Sequence, residues 1–586
     1  MNYDLNSIAA SQKSNTMVAL RKLLRWLGEE RKVLIYAFIT MIITSGINLT
    51  GPLLIGYAVD HYITTGNYTG IVHTCILLVS MYLVSFGSNY LQTRLMGGLG
   101  QRLLFNLRNS IFNKLQQLPL AFFNQNKAGD LISRINNDTD KLNQFFSQAL
   151  MQFVSNILTM IGAAIFLLSI HVPLGAVALA PGMLLFLFMR LISPAVKKKN
   201  AQSLQTGGAM SAEIQESLQN FKVVIAFNRR DYFRERFKQA SLTNYRSAVS
   251  AGLLNNIFLP VFTFCSHLAQ LVVLIYGIAL ITQGNLTIGL LISYFAYVGN
   301  FYFPIRQLAT IWTTFQVAMA GWDRIAVILD LDDKKLVDTP ALSSASGNVL
   351  LSFQNVDFAY PGSESKVLHN VSFELQRGKT YAFVGPTGGG KSTTASLMAG
   401  LYNATGGAVF LKEKNIQHYT GQESANIIGF ILQEPFLFSG TVKDNILYGN
   451  NAYRHLSNED LEVVIRNAGV QELLSRFDQG LDTVVAGADT LSLGQKQLIA
   501  FMRAVLRNPE LLILDEATAN IDTVTENLLE DILSQLSSNT TKVIIAHRLN
   551  TIENADEIFF VNDGHIKKAG NFQQALAMLM HEKRVS

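Results

Sequence analysis

Gly385-Pro386-Thr387-Gly388-Gly389-Gly390-Lys391-Ser392 is the stretch on which the reading of this chain turns. The apolar run Tyr381-Ala382-Phe383-Val384 stands before it and reads as a buried strand, and Thr393 to Ala399 reads as a helix. Strand, glycine-rich turn and helix is the context in which a turn can hold a triphosphate. Glycines let the backbone curl, so that N–H groups from Gly385, Thr387, Gly388, Gly389 and Gly390 can converge on phosphate oxygens. The helix that follows adds its partial positive end. Lys391 is spaced to reach the β- and γ-phosphates and Ser392 to hold Mg²⁺, with Thr393 next in the same nucleotide set. On the octet alone, a glycine-rich turn without a ligand remains the alternative.

The chain has 586 residues, too many for one core, so two or more domains are expected. Hydrophobic residues make up 49% and charged residues only 15%, against ~25% in ordinary soluble domains, so much of the protein is expected to face lipid. The formal charge of +5 does not argue for nucleic acid, because the basic residues stand mostly beside apolar spans, where membrane topology explains them. Cys75 and Cys265 lie in apolar runs and give neither a disulfide framework nor a zinc spacing. Met1 to Lys32 is polar and partly amphipathic without a secretory cleavage pattern, and reads as a cytoplasmic lead-in along the membrane surface.

A helix needs ~20 mainly apolar residues to cross ~30 Å of hydrocarbon. Six candidate spans meet this, at about 33–59, 71–91, 145–170, 173–189, 253–281 and 286–304, and none has Lys, Arg, Asp or Glu in its interior. The connections near 60–70, His171 and 282–285 are short and lack Lys and Arg. The other two are long and carry Arg94, Arg102, Arg108, Lys114, Lys127 and Arg134, then Lys197, Lys198, Lys199, Arg229 and Arg230. Positive loops stay inside, so both termini and both long connections are expected in the cytoplasm. Each long connection keeps helical periodicity on its flanks, and their turns, near 118–128 and 216–228, are short amphipathic segments with exposed aromatics, suited to docking on another domain or to a solvated hairpin. Tyr294, Phe295, Tyr297, Phe301, Tyr302 and Phe303 crowd the sixth span, where they either pack the bundle or line a hydrophobic path. Residues 1–329 are thus read as a membrane domain, 330–347 as a linker, and 348–586 as a soluble α/β domain.

In that second half, Leu511-Leu512-Ile513-Leu514 runs into Asp515 and Glu516, which suits a buried parallel strand. Ligands of open α/β sheets sit at the carboxyl ends of strands. Asp515 is therefore placed to orient Mg²⁺ or its waters and Glu516 to polarise an attacking water. Lys542-Val543-Ile544-Ile545-Ala546 puts His547 at another strand end, near a γ-phosphate. Tyr360 can stack on an adenine ring, and Gln433, after Ile428 to Leu432, can contact metal or water. Each alone is a weak signal, with a structural role as the plain alternative.

In this order, with Leu491-Ser492-Leu493-Gly494-Gln495-Lys496-Gln497 upstream of Leu514-Asp515-Glu516 and Asp522 following, the residues resemble the ATP-binding cassette family. Six spans before one cassette resemble its exporter branch, and the resemblance covers essentially the whole chain. It implies an all-α six-helix transmembrane domain with long cytoplasmic helical extensions, followed by an α/β P-loop cassette, in a multi-pass protein of the plasma (bacterial inner) membrane. The implied activity is ATP hydrolysis with Mg²⁺, driving export of hydrophobic or amphiphilic substrates, drugs or lipids, by alternating access; the turns near 118–128 and 216–228 match coupling helices. Ser492, Gly494 and Gln495 would complete the ATP site of a second half-transporter, with Asp522 also at the nucleotide. A nucleotide-gated channel or a regulatory membrane ATPase is the alternative of a different class.

Two departures stand out. Leu493 replaces the glycine usual in the family's signature, and Ala486-Gly487-Ala488-Asp489-Thr490 stands where a Glu-x-Gly run is usual. A weakened signature beside complete catalytic residues resembles one subunit of heterodimeric bacterial multidrug exporters, so a heterodimer is favoured over a homodimer.

Overall fold

The computed structural model describes residues 3–5, 7–8, 27–331, 347–363, 365–486, 491–515, 523–536, 539–545, 554–570, 573–575 and 577–578. Two compact units account for the chain, one of Ala9–Gln116 and Gly129–Asp330, the other of Met1–Ile8, Gln117–Ala128 and Leu331–Ser586. The expected linker, 330–347, lies mostly outside the described residues.

Helices come in the order α1 (Arg31–Ala58), α2 (Tyr68–Gln117), α3 (Leu120–Gln125), α4 (Ala128–Ile170), α5 (Val172–Gln219), α6 (Phe221–Ala226), α7 (Arg230–Asn256), α8 (Phe258–Thr282) and α9 (Ile288–Leu329). Among the described residues six runs are long and apolar enough to cross a membrane: α1 with its extra turn to Ile63, α2, α4, α5, α7 with α8, and α9. The 50 residues of α2 span ~75 Å at 1.5 Å per residue, more than twice a hydrocarbon core of ~30 Å. In the first unit α5 packs on α7 and α8, while α9 packs on α4 and α1. The α1–α9 contact is backbone on backbone, since a Cβ on Gly289 would lie 2.0 Å from Gly56 O. On α6, Phe221, Val223 and Ile225 are exposed and Val224 is buried.

The aromatic cluster of the sixth span divides. Tyr294, Tyr297 and Tyr302 are buried and belong to the packing. Their hydroxyls donate to Leu167 O (2.8 Å), Leu49 O (2.6 Å) and Ala178 O (3.0 Å), because a phenol in an apolar bundle must find an acceptor. Phe303 is 55% exposed.

Among the described residues the second unit has two main sheets. β1 (Val349–Phe358), β2 (Leu368–Gln376), β4 (Gly406–Leu411) and β5 (Lys414–Asn415) form an antiparallel sheet in the order β2-β1-β4-β5. The larger sheet runs β12-β11-β3-β10-β9-β6, from β3 (Thr380–Val384), β6 (Ile428–Ile431), β9 (Leu511–Asp515), β10 (Thr541–Ile545), β11 (Glu557–Asn562) and β12 (His565–Gly570). All of its pairs are parallel except β11–β12. Its central strands β9 and β10 are nearly continuous apolar runs because both faces are covered, one by helices and the other by the antiparallel sheet, with Phe373 of β2 against Phe383 and Phe559. β7 (Gly440–Thr441) pairs with β8 (Val484–Val485).

Among the described residues this unit holds α3 together with α10 (Lys391–Met398), α11 (Gly421–Ile427), α12 (Val442–Ile446), α13 (Asn458–Asn467), α14 (Gln471–Leu474), α15 (Leu493–Val505) and α16 (Thr523–Gln535). Part of the N-terminus belongs here too. Leu5 is 1% exposed and Tyr3 packs on the core of the antiparallel sheet, which corrects the expectation that this end of the lead-in lies along the membrane surface. Burying an apolar side chain against protein removes the reason to seek lipid.

Candidate functional site

The site forms where the parallel strands end. β3, β10, β9 and β6 lie side by side, so their carboxyl ends open on one edge. β3 leads through Gly385–Gly390 into α10, and β9 ends on Asp515. Gln433 follows β6 by two residues and is exposed.

The loop between β3 and α10 is held from below. Gly385 adopts φ 151°, and a Cβ there would lie 1.9 Å from Val561 O on β11, so no other residue fits. Gly390 starts α10 at φ 110°. The β11–β12 turn, with Asp563 and Gly564 both at positive φ, places the Gly564 N–H 3.1 Å from Gly389 O. Gly389 is buried, while Thr387 and Gly388 are exposed.

Lys391 is 5% exposed, and its Nζ donates to Gly385 O at 2.8 Å and Pro386 O at 2.9 Å. The ammonium therefore lies within its own loop, at the level where the loop curls. Ser392 Oγ donates to Asp515 Oδ1 at 3.0 Å, from the first turn of α10 to the end of β9. Tyr360 OH and Thr393 Oγ1 are 2.9 Å apart, which ties the second residue past β1 to the first turn of α10. Tyr360, Thr393, Lys391, Ser392 and Asp515 are thus brought together. Glu516, Asp522 and His547 lie outside the described residues.

Ser492, Gly494 and Gln495 form a separate group at the start of α15. Ser492 caps the helix, accepting the Gln495 N–H at 3.2 Å, and Gln495 Oε1 accepts the Ser492 N–H at 3.0 Å. Gln495 Nε2 donates to Arg476 O at 3.1 Å, so its side chain serves this helix end. Ser492 and Leu493 are exposed.

Beside Gln433 runs an open groove lined by Phe430, Leu432, Pro435, Phe436, Arg503 and Arg507. Arg503 Nε donates to Asn445 O at 2.8 Å, and burial holds the guanidiniums of Arg503 and Arg507 below their ordinary pKa.

Sequence reasoning missed three contributors. The Asp563-Gly564 turn was available as a hairpin dipeptide between apolar strands. Tyr402, edge-on to Tyr360 at 5.3 Å, and Gln125, which donates to Pro361 O, gave no local signal.

The family comparisons agree with this geometry. Residues 34–305 match the model of the ABC transporter transmembrane region and residues 368–519 that of the ABC transporter. An uncharacterized ABC transporter ATP-binding protein, YknV, of Bacillus subtilis is 33% identical over 95% of this chain and 92% of its own length. The fatty acid ABC transporter ATP-binding/permease protein of Mycobacterium tuberculosis is 31% identical over 87% of this chain and 80% of its own. The ATP-dependent lipid A-core flippase of Haemophilus influenzae is 31% identical over 90% and 89% respectively. The chain belongs to the ABC transporter family, as an exporter-type half-transporter that binds ATP and couples its hydrolysis to transport.

Proposed function

We propose that this half-transporter pairs with a second one, favoured to be a different chain, and exports hydrophobic or amphiphilic molecules, drugs or lipids, by alternating access. The observation that carries the nucleotide chemistry is the Ser392–Asp515 hydrogen bond at 3.0 Å, beside Lys391. A hydroxyl and a carboxylate converging at a strand end are hard oxygen donors of the kind Mg²⁺ takes, so these residues fit the ion, with Gln433 as a further contact. Bound there, Mg²⁺ would neutralise phosphate charge.

The chain's own residues do the rest. Backbone N–H groups of Gly385, Thr387, Gly388, Gly389 and Gly390 hold phosphate oxygens, Lys391 reaches the β- and γ-phosphates, and Thr393 supports the loop and Tyr360. Tyr360 stacks on the base. Glu516 orients the attacking water, His547 contacts the γ-phosphate, and Asp522 stands at the nucleotide. Ser492, Gly494 and Gln495 complete the site of the other subunit. The basic long connections support a cytoplasmic cassette and cytoplasmic termini, in a bacterial inner membrane.

Substrate class rests on the uncharged span interiors and on relatives named for fatty acid and lipid A-core transport. Inverted vesicles containing the purified assembly test it. ATP-dependent accumulation of an amphiphile against its gradient supports the reading; ATP-dependent equilibration without accumulation would identify a gated channel instead.

A further inference from the structure

Residues Tyr3 to Leu5 run as a clamped peptide beside the end of α3. Asn126 grips it with both ends of its amide: Oδ1 accepts the Leu5 N–H at 3.1 Å and Nδ2 donates to Tyr3 O at 2.9 Å. Gln125 Oε1 accepts the Tyr3 N–H at 2.6 Å, while its Nε2 donates to Pro361 O. Leu5 is buried and anchors the peptide.

Pro361 follows Tyr360. Tyr360 to Ser363 is a turn closed by the Ser363 N–H on Tyr360 O at 2.9 Å, with Gly362 at φ 89°. Proline second and a left-handed glycine third make a type II turn, whose middle carbonyl points away from the turn's own hydrogen bond. That carbonyl is Pro361 O, and Gln125 supplies its donor. A Cβ on Gly362 would come within 3.3 Å of Gln125 Nε2, so the amide sits directly against the corner. Phe358 lies edge-on to the Tyr360 ring at 4.9 Å and Tyr402 at 5.3 Å, with Asn124 donating to the Tyr402 hydroxyl.

A planar amide cannot turn its two ends independently. The Tyr3 N–H fixes which end of Gln125 is the acceptor, and so aims the NH₂ end at Pro361. We propose that Tyr3–Leu5 is a strap that positions the base-stacking tyrosine, acting through Gln125 and Asn126. This rests on the reading of Tyr360 as the ring that stacks on adenine. The strap contributes affinity for the base and none for the triphosphate.

Steady-state ATPase kinetics of the full-length assembly in detergent test this, with inorganic tripolyphosphate as a competitive inhibitor that has no base. Asn126→Ala removes two of the three hydrogen bonds on the peptide and leaves that of Gln125 to the Tyr3 N–H. Gln125→Glu keeps the acceptor for Tyr3 but loses the donor to Pro361. Each is expected to raise the KM for ATP about fivefold, leaving kcat within about twofold and the tripolyphosphate inhibition constant unchanged. Leu5→Asp should act like Asn126→Ala from the strap side, and Leu5→Met should restore the parental KM. Tyr360→Ala is the reference. If it raises KM and the strap variants do not, the strap is refuted while the stacking role stands. If it leaves KM unchanged, the stacking reading itself falls. A parallel loss of tripolyphosphate affinity in the strap variants would mean general loosening of the loop, and overturns the proposal.

Discussion

The Ser392 hydroxyl donates to the Asp515 carboxylate at 3.0 Å, joining the start of α10 to the end of β9. Two residues 123 positions apart thus share one point at the carboxyl edge of the parallel sheet. Asp515→Asn keeps the size of the side chain but removes its charge. It is expected to lower ATPase activity at least ~100-fold and to shift the Mg²⁺ titration upward, as loss of an ion-orienting group does. A titration that keeps its midpoint would remove Asp515 from the ion's neighbourhood.

Glu516 follows Asp515 directly. Glu516→Gln should preserve ATP binding, measured with a fluorescent nucleotide, while turnover falls by ~10²–10⁴, the range for loss of a general base. Unchanged turnover would reassign the water-orienting role.

Leu493 is the first residue of α15 and 39% exposed, next to the capping Ser492. If it weakens the composite site, Leu493→Gly should raise ATPase activity by about tenfold, the equivalent of ~1.4 kcal/mol in the barrier. Loss of activity, or none gained, would mean that leucine is the residue this site works with.

Tyr297 is fully buried, with its hydroxyl on Leu49 O at 2.6 Å. Tyr297→Phe leaves the ring and removes only the hydroxyl's hydrogen bond to a helical carbonyl, so detergent-solubilised protein should lose ~1 kcal/mol of stability. Drug- or lipid-stimulated ATPase should keep its substrate order, since a packed side chain does not face cargo; a changed order would place Tyr297 on the path.

Asp444 caps α12, accepting from the Thr441 N–H and hydroxyl, each at 2.8 Å, and these bonds hold its carboxyl below the ordinary carboxylate pKa. The unfolded chain therefore binds that proton more readily than the folded one. The stabilisation is present above the unfolded value of ~3.9 and is lost as pH falls through the lower folded value. Asp444→Asn should flatten the acid limb of the melting curve and leave its slope near neutral pH unchanged.

What could be read from the chain beforehand was whatever is written locally. The apolar run ending in Asp515, the glycine loop and the Ser-x-x-Gln start of α15 are each contained in a few consecutive residues. So are the apolar runs of the membrane helices, because lipid demands uniform hydrophobicity over a fixed length. The interior role of Tyr294, Tyr297 and Tyr302 was undecided because an aromatic residue has the same composition whether it faces a neighbouring helix or cargo. The contact of Tyr3 with Gln125 was invisible for a stronger reason: partners 122 residues apart are joined by polar groups that carry no periodic pattern.

The phosphate loop rests on Val561 and on the Asp563-Gly564 turn, which lie some 170 residues further along the chain than the loop itself. During synthesis, then, the glycine motif emerges long before its floor. A nascent polypeptide ending at Asp515 would hold every letter of Gly385–Ser392 and still lack the strand that shapes it, so nucleotide competence waits until β11 and its turn have emerged.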